Sequence, residues 1–157
     1  MKHLITAIFF LALKAGISYS HAQDKDPLTK HYNLENKLAI QGYDPVAYFN
    51  QNKPVKGSKE LAVFHQGAVY YFSSDANKAA FKKDPLKYEP QYGGWCAYAM
   101  GNKGEKVPID PETFKIVNGK LYLFYNKLLN NTLPKWNKDE AGLKKNADLN
   151  WTKIIKS

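Results

Sequence analysis

Residues 60–83 have the sequence ELAVFHQGAVYYFSSDANKAAFKK, and this stretch decides the fold. Two β-rich runs, Glu60 to His65 and Ala68 to Phe72, flank the pair Gln66-Gly67. Two residues that tolerate positive φ suit a tight hairpin turn, so the pattern predicts an antiparallel hairpin. Apolar side chains alternate onto both faces of these strands, and we therefore expect the hairpin to be covered on both sides.

Helix signals follow and precede this hairpin. Ser74 is a favoured N-cap, and the sequence predicts a helix from Asp75 to about Lys83, ending before Pro85. Upstream, Asp44-Pro45 has the pattern of a cap followed by the first helical position, which predicts a single helical turn.

A second hairpin is predicted further along the chain. Asn118-Gly119 separates the β-rich runs Phe114 to Val117 and Lys120 to Phe124, which is the pattern of a type I′ turn. One face of this hairpin should be core, and it carries Phe114, Ile116, Leu121 and Leu123. The pattern indicates an α+β fold with a small antiparallel sheet of two hairpins and short helices packed against it.

The tail from Asn126 to Ile155 predicts one or two helices interrupted at Pro134. Four apolar residues are predicted to anchor these helices, namely Trp136, Leu143, Leu149 and Trp151.

The N-terminus has the pattern of a secretory signal. A short charged head at Lys2 precedes an apolar run from Leu4 to Leu13, and small residues lead up to Ala22. We expect cleavage after Ala22 and a periplasmic or secreted mature protein. The apolar run is shorter than the roughly 20 residues that cross a bilayer, so an integral membrane protein is not expected. Residues 23–37 are predicted to be a flexible leader, and 38–155 a single domain with a helical C-terminal extension.

The basic net charge is only weak evidence that the protein binds nucleic acid. The formal net charge is +9, and Lys2 and Lys14 would leave with the signal. All 23 basic residues are lysines spread along the chain, whereas sequence-specific readers favour the planar guanidinium of arginine. We expect a solvated cationic surface and no specific nucleic-acid partner.

Cys96 is the only cysteine, and it lies in the unusual segment YGGWCAYAM at residues 92–100. Tyr92, Trp95 and Tyr98 could line a ligand pocket around a reactive or metal-binding thiolate. Met100 could add a soft thioether, a pairing that suits Cu(I). The alternative is a buried, inert thiol that packs as a small apolar side chain.

His65 is the only histidine in the predicted folded part, since His31 falls in the leader. It could ligate a metal beside Cys96, or it could lie at the hairpin end without a role. A cysteine nucleophile needs a general base within hydrogen-bond reach, and spacing places none there. Phosphate-loop, dinucleotide, zinc-finger and triad motifs are absent from the sequence, so catalysis is not expected.

Three segments resemble a known family. GAVYYFSS at 67–74 and FKKDPLKY at 81–88 resemble the core signature of the YHS domain, and DPV at 44–46 resembles its opening. The later segments, YGGWCAYAM and IDPETFKIVNGKLYLFYN, are similar to exported YHS-domain proteins of Gram-negative bacteria. The resemblance covers Ile40 to about Trp151 and implies an α+β domain.

The resemblance also implies metal handling, because copper and other heavy-metal proteins carry YHS modules. Metal-binding relatives have cysteines at positions that correspond here to Ala47, Ser73 and Asn77. Alanine has no ligand atom, and neutral Ser or Asn oxygens bind soft metals poorly. The family's metal site therefore cannot be carried over, and Cys96 is the only thiol available.

Three functions remain open at this stage. The first is a non-catalytic exported binding module that takes a soft, copper-like metal ion or a small ligand near Cys96. The second is a structural or interaction protein, with an envelope protein as a partner and Cys96 buried. The third is a thiol-based redox protein, which would require an activated Cys96 thiolate.

Overall fold

Both predicted hairpins and the helix predicted from Asp75 form in the computed structural model, which describes residues 27–157. The predicted signal peptide lies outside the described residues. Helices within the described range are α1 (Ala47–Asn50), α2 (Asp75–Lys83), α3 (Pro85–Tyr88), α4 (Ala97–Lys103), α5 (Leu133–Lys138) and α6 (Glu140–Ile155). Strands there are β1 (Leu34–Glu35), β2 (Leu38–Ala39), β3 (Ser58–His65), β4 (Ala68–Phe72), β5 (Asp110–Val117), β6 (Lys120–Phe124), β7 (Asn126–Lys127) and β8 (Asn130–Asn131). Short 3₁₀ turns occupy Pro27–His31, Ile40–Gly42 and Gln91–Gly94.

The α+β class is confirmed, and the strands are divided among small sheets. A four-stranded sheet has the order β1-β2-β4-β3, while the β5–β6 and β7–β8 hairpins stand apart from it. Strand β2 pairs with β4 in parallel, with Leu38 opposite Val69, so this sheet is mixed rather than purely antiparallel. The covering of the first hairpin is incomplete, because Phe64 is 56% exposed.

The segment predicted as a flexible leader is folded where the structure describes it. Pro27–His31 forms a 3₁₀ turn and Leu34–Glu35 pairs with β2. The His31 side chain is buried, and its backbone oxygen accepts a hydrogen bond from Trp95 Nε1 at 2.7 Å. Burial and the neighbouring Lys106 ammonium lower the pKa of His31. The folded unit therefore begins before residue 38.

Strand β6 divides the core into two apolar clusters. Leu121 and Leu123 point to one cluster, which contains Phe72 and Phe81 from the first hairpin and α2. On the other face, Tyr122 and Phe124 join the second cluster. This arrangement arises because side chains alternate between the two faces of a strand and both faces of β6 are covered. Strand β6 therefore lies between the two apolar clusters.

The C-terminal helices cover the second face of β6. Trp136 on α5 is fully buried, with its ring 5.7 Å from that of Tyr122. Pro134 lies in the first turn of α5, so it begins a helix instead of interrupting one. Leu143 and Trp151 pack against the second cluster as predicted. The prediction for Leu149 is wrong, because its side chain is 54% exposed on α6.

No helix in residues 27–157 has the length and apolar character needed to span a bilayer.

Candidate functional site

The Cys96 thiol is buried and hydrogen-bonded. The residue is fully inaccessible to solvent and directly precedes α4. Its sulfur accepts a hydrogen bond from the Tyr125 backbone N–H at 3.3 Å and lies 3.4 Å from Thr132 Oγ1. Since the Thr132 hydroxyl already donates to the Tyr125 carbonyl at 2.9 Å, the thiol proton is left to point at Thr132 Oγ1. Neither neighbour is a general base.

A cavity of about 370 Å³ is lined by Cys96. Tyr98, Val107, Tyr125 and Thr132 line it as well, so aromatic and aliphatic side chains form part of its wall. We call this cavity the Cys96 pocket. Its size lies within the range of small-molecule sites in proteins.

The solvent-exposed members of the Cys96 pocket are polar. Asn102 and Lys103 at the end of α4, Glu105 beyond it and Asn130 on β8 are all exposed. The pocket thus combines an apolar interior with donors, acceptors and charges of both signs near solvent, which is the usual design of a site that orients an organic ligand.

The structure separates the three predicted aromatic pocket residues. Tyr98 lines the Cys96 pocket. Tyr92 lines a different cavity of about 290 Å³, where its hydroxyl donates to Asp148 Oδ1 at 2.9 Å. Burial and this carboxylate raise the pKa of Tyr92. Trp95 donates a hydrogen bond to the His31 carbonyl and does not line the Cys96 pocket. Of the three predicted aromatic residues, only Tyr98 lines that pocket.

The predicted metal ligands are also divided. Met100 is fully buried in the second cluster, whereas Cys96 belongs to the first. His65 lies on β3, with its ring edge-on to Phe81 and its Nε2 atom 3.8 Å from Glu89 Oε1. Over residues 27–157, no group of three or more His, Cys, Asp or Glu side chains is placed to hold a metal ion. Ligation by Cys96, Met100 and His65 stays a prediction.

Asp44 forms a second polar site, inside the fold. Its carboxylate is fully buried. Oδ1 accepts hydrogen bonds from the backbone N–H groups of Val46 at 2.8 Å and Ala47 at 3.3 Å. Oδ2 accepts three more, from the Ser73 N–H at 2.8 Å, the Ser73 hydroxyl at 2.6 Å and the Asn77 amide at 2.7 Å. This set is the Asp44 network.

The positions that correspond to the family's cysteines meet at the Asp44 network. Ala47 contributes a backbone donor, while Ser73 and Asn77 contribute side-chain donors. Asn50 extends the network by donating to Asn77 Oδ1 at 2.8 Å. Five donors already engage the two carboxylate oxygens, and no sulfur is present among these residues. The residues at this position therefore do not fit the soft metal ion that the family implies.

These features define a small α+β domain in which a buried carboxylate ties a helical turn to a hairpin and its following helix. Residues 46–92 of the chain match the YHS domain, so a YHS domain is present there. No curated protein and no solved structure matches the chain.

The match is shorter than the resemblance seen in the sequence, which ran from Ile40 to about Trp151. The Asp44 network has Ala47, Ser73 and Asn77 inside the matched residues. Cys96 and every other residue that lines its pocket lie after residue 92. The Cys96 pocket is therefore built outside the YHS segment.

The sequence reasoning missed three functional contacts. Tyr125 and Thr132 contact the thiol from 29 and 36 residues away, and no local pattern marks them. Asp44 was interpreted as a cap directly before a helix that starts at Pro45; the helix instead begins at Ala47 with Val46 as its cap residue, although Asp44 Oδ1 does accept hydrogen bonds from the Val46 and Ala47 N–H groups. A signal for its wider role was available, because two of the three cysteine-equivalent positions, Ser73 and Asn77, carry polar side chains that suggest a shared partner.

Proposed function

We propose that this protein is a non-catalytic, exported binding module that takes a small organic molecule in the Cys96 pocket. The observation that carries the proposal is the cavity of about 370 Å³ that has Cys96, Tyr98 and Tyr125 in its lining. Pockets of this size with few polar groups bind small molecules, and the thiol is already hydrogen-bonded to the protein.

The lining favours an amphipathic ligand. Tyr98, Val107 and Tyr125 offer apolar surface to a flat or aliphatic body. Lys103 and Glu105 are exposed beside it and could pair with a polar or charged end of the ligand. We therefore propose a molecule with an apolar body and one polar end.

A soft metal ion is the weaker candidate at this site. The groups against the sulfur are the Tyr125 N–H, which cannot ligate a cation, and the Thr132 hydroxyl, which is a hard donor. The buried thioether of Met100 packs in the other cluster. The association of YHS domains with metals supports a binding role for this protein. The side chains that line the Cys96 pocket favour an organic molecule over a metal ion as the ligand.

Export rests on the pattern of residues 1–22, with its charged head, apolar run and small residues before Ala22. An exported location is compatible with a chain that has one cysteine and no internal disulfide.

Filling the pocket should abolish ligand binding. Ala99 lines the pocket and is partly exposed on α4, so Ala99→Trp should place an indole in the cavity. We expect native mass spectrometry of the protein purified from its own cells to show a bound small molecule. Occupancy should fall at least about tenfold in Ala99→Trp, because the same volume cannot hold both groups.

Leu86→Trp is the matched control, since it adds an indole at the other cavity, next to Tyr92. It should keep the bound mass, and both variants should retain the wild-type circular dichroism spectrum. Equal occupancy in Ala99→Trp and wild type would refute the pocket as the site. A bound mass equal to one copper ion, lost in Cys96→Ser, would establish the metal alternative instead.

A further inference from the structure

Two leucines form the tip of the β7–β8 hairpin and contact almost nothing. Leu128 and Leu129 connect Lys127 to Asn130, and their exposed fractions are 95% and 108%. These are the two most exposed large apolar side chains among residues 27–157. We call this pair the leucine tip.

The backbone of the leucine tip is strained as well as exposed. Leu128 has φ +50° and Leu129 has φ +61°. A two-residue turn with both φ values positive favours Asn and Gly, and a branched apolar side chain there costs about 1 kcal/mol or more per residue. The same chain uses Asn118-Gly119 for the equivalent turn between β5 and β6. The leucine tip therefore combines an unfavourable backbone conformation with exposed apolar surface.

The chain segment that carries the leucine tip is cationic. Residues 125–138 contain Lys127, Lys135 and Lys138 and no acidic residue. The Lys135 ammonium lies on the flank of the hairpin, where it donates to Asn130 Oδ1 at 2.7 Å. The formal net charge of the whole chain is +9, and the chain stays basic without Lys2 and Lys14 of the predicted signal. A convex apolar point with lysines beside it complements an anionic surface with an apolar interior.

We propose that the leucine tip inserts into the surface of an anionic phospholipid bilayer, with Lys127 and Lys135 at the level of the lipid phosphates. Hydrocarbon covers the two leucines, and the lysines remain in the headgroup region, where anionic lipids attract them. The base of the same hairpin borders the Cys96 pocket through Asn130 and Thr132, so the docked protein holds the pocket near the membrane surface. The proposal does not depend on what the pocket binds.

Vesicle partition of the mature chain tests the proposal. Wild-type protein is sedimented with vesicles of equal parts phosphatidylglycerol and phosphatidylcholine, and in parallel with vesicles of phosphatidylcholine alone. We expect binding to the anionic vesicles and at least about tenfold weaker binding to the neutral ones. The double variant Leu128→Asn/Leu129→Gly suits the turn and should fold, yet it should lose about tenfold or more of the anionic binding.

Two further variants keep the test decisive. Leu86→Ser removes another exposed leucine, 73% exposed on α3, and should bind like wild type. Lys127→Glu leaves both leucines in place and should weaken anionic binding roughly fivefold or more. Equal vesicle binding by wild type and the Leu128→Asn/Leu129→Gly variant would overturn the proposal, as would absence of wild-type binding. A dimer in sedimentation velocity that this variant converts to a monomer would assign the leucine tip to a second copy of the chain, and would also overturn it.

Discussion

Asp44→Ala is expected to lower the free energy of unfolding by about 3–5 kcal/mol, because hydrogen bonds to a charged acceptor contribute about 1.5–3 kcal/mol each and several are lost together. The loss follows because five donors now bond to the carboxylate, and alanine would leave them buried without an acceptor. The measurement is urea unfolding followed by far-UV circular dichroism.

Asp75→Ala is the matched control, because Asp75 is an exposed residue in the first turn of α2. Its loss should be much smaller, since exposed charges at a helix start contribute little. Similar losses for Asp44→Ala and Asp75→Ala would show that the Asp44 network does not hold the domain together.

The Asp44 network also explains how a YHS domain can persist without the cysteines of metal-binding relatives. A carboxylate joins the helical turn at Ala47 to the hairpin end at Ser73 and to α2 through hydrogen bonds, at the positions that the resemblance equates with cysteines of metal-binding relatives. The side chains around this carboxylate offer no soft ligand to a metal ion.

The second large effect is expected at Gly101→Ala, where we predict a loss of about 2–4 kcal/mol in the free energy of unfolding. Helix propensity alone would make this substitution stabilising by up to ~1 kcal/mol. However, a Cβ atom on Gly101 would lie 2.3 Å from the Leu143 carbonyl oxygen of α6, so the two helices would have to separate. Urea unfolding of the variant measures the loss.

Asn102→Ala tests the same helix one residue further on, at an exposed position. It should be neutral or slightly stabilising, because it gains propensity without a clash. A stabilised Gly101→Ala protein would contradict the tight α4–α6 contact. That contact matters for function, since α4 carries Tyr98 and Ala99 into the wall of the Cys96 pocket.

Much of the fold could be predicted because its signals are local. Asn118-Gly119 has the positive φ values that its turn requires, and Ser74 accepts the cap hydrogen bond from the Asn77 N–H. Alternation placed Leu121 and Leu123 on the core face correctly. In each case the cause acts within a few residues, so one sequence is enough to find it.

The rest depends on contacts between distant residues. The two-residue strand β2 is set by parallel pairing with β4, which no periodicity in Leu38-Ala39 reveals. His31 is buried because Trp95 and Lys106 close over the segment, although the segment itself is polar. Leu149 follows a helical pattern but faces solvent.

The candidate site shows the same limit. The sequence grouped Tyr92, Trp95 and Tyr98 around Cys96, and of these Tyr98 lines the same cavity as Cys96. It grouped Tyr92 and Met100 with them on proximity alone, and the positive φ of Tyr92 and the helical turn before Met100 direct those side chains elsewhere. Thr132 could be found only from the fold.

The most direct test of the account is chemical-shift mapping on the ¹⁵N-labelled mature protein during titration with a small-molecule extract of the cells that make it. The account predicts shifts confined to amides around the Cys96 pocket, such as those of Tyr98, Val107 and Thr132. Shifts centred on Val46, Ser73 and Asn77 would contradict it, because they would place the ligand at the Asp44 network.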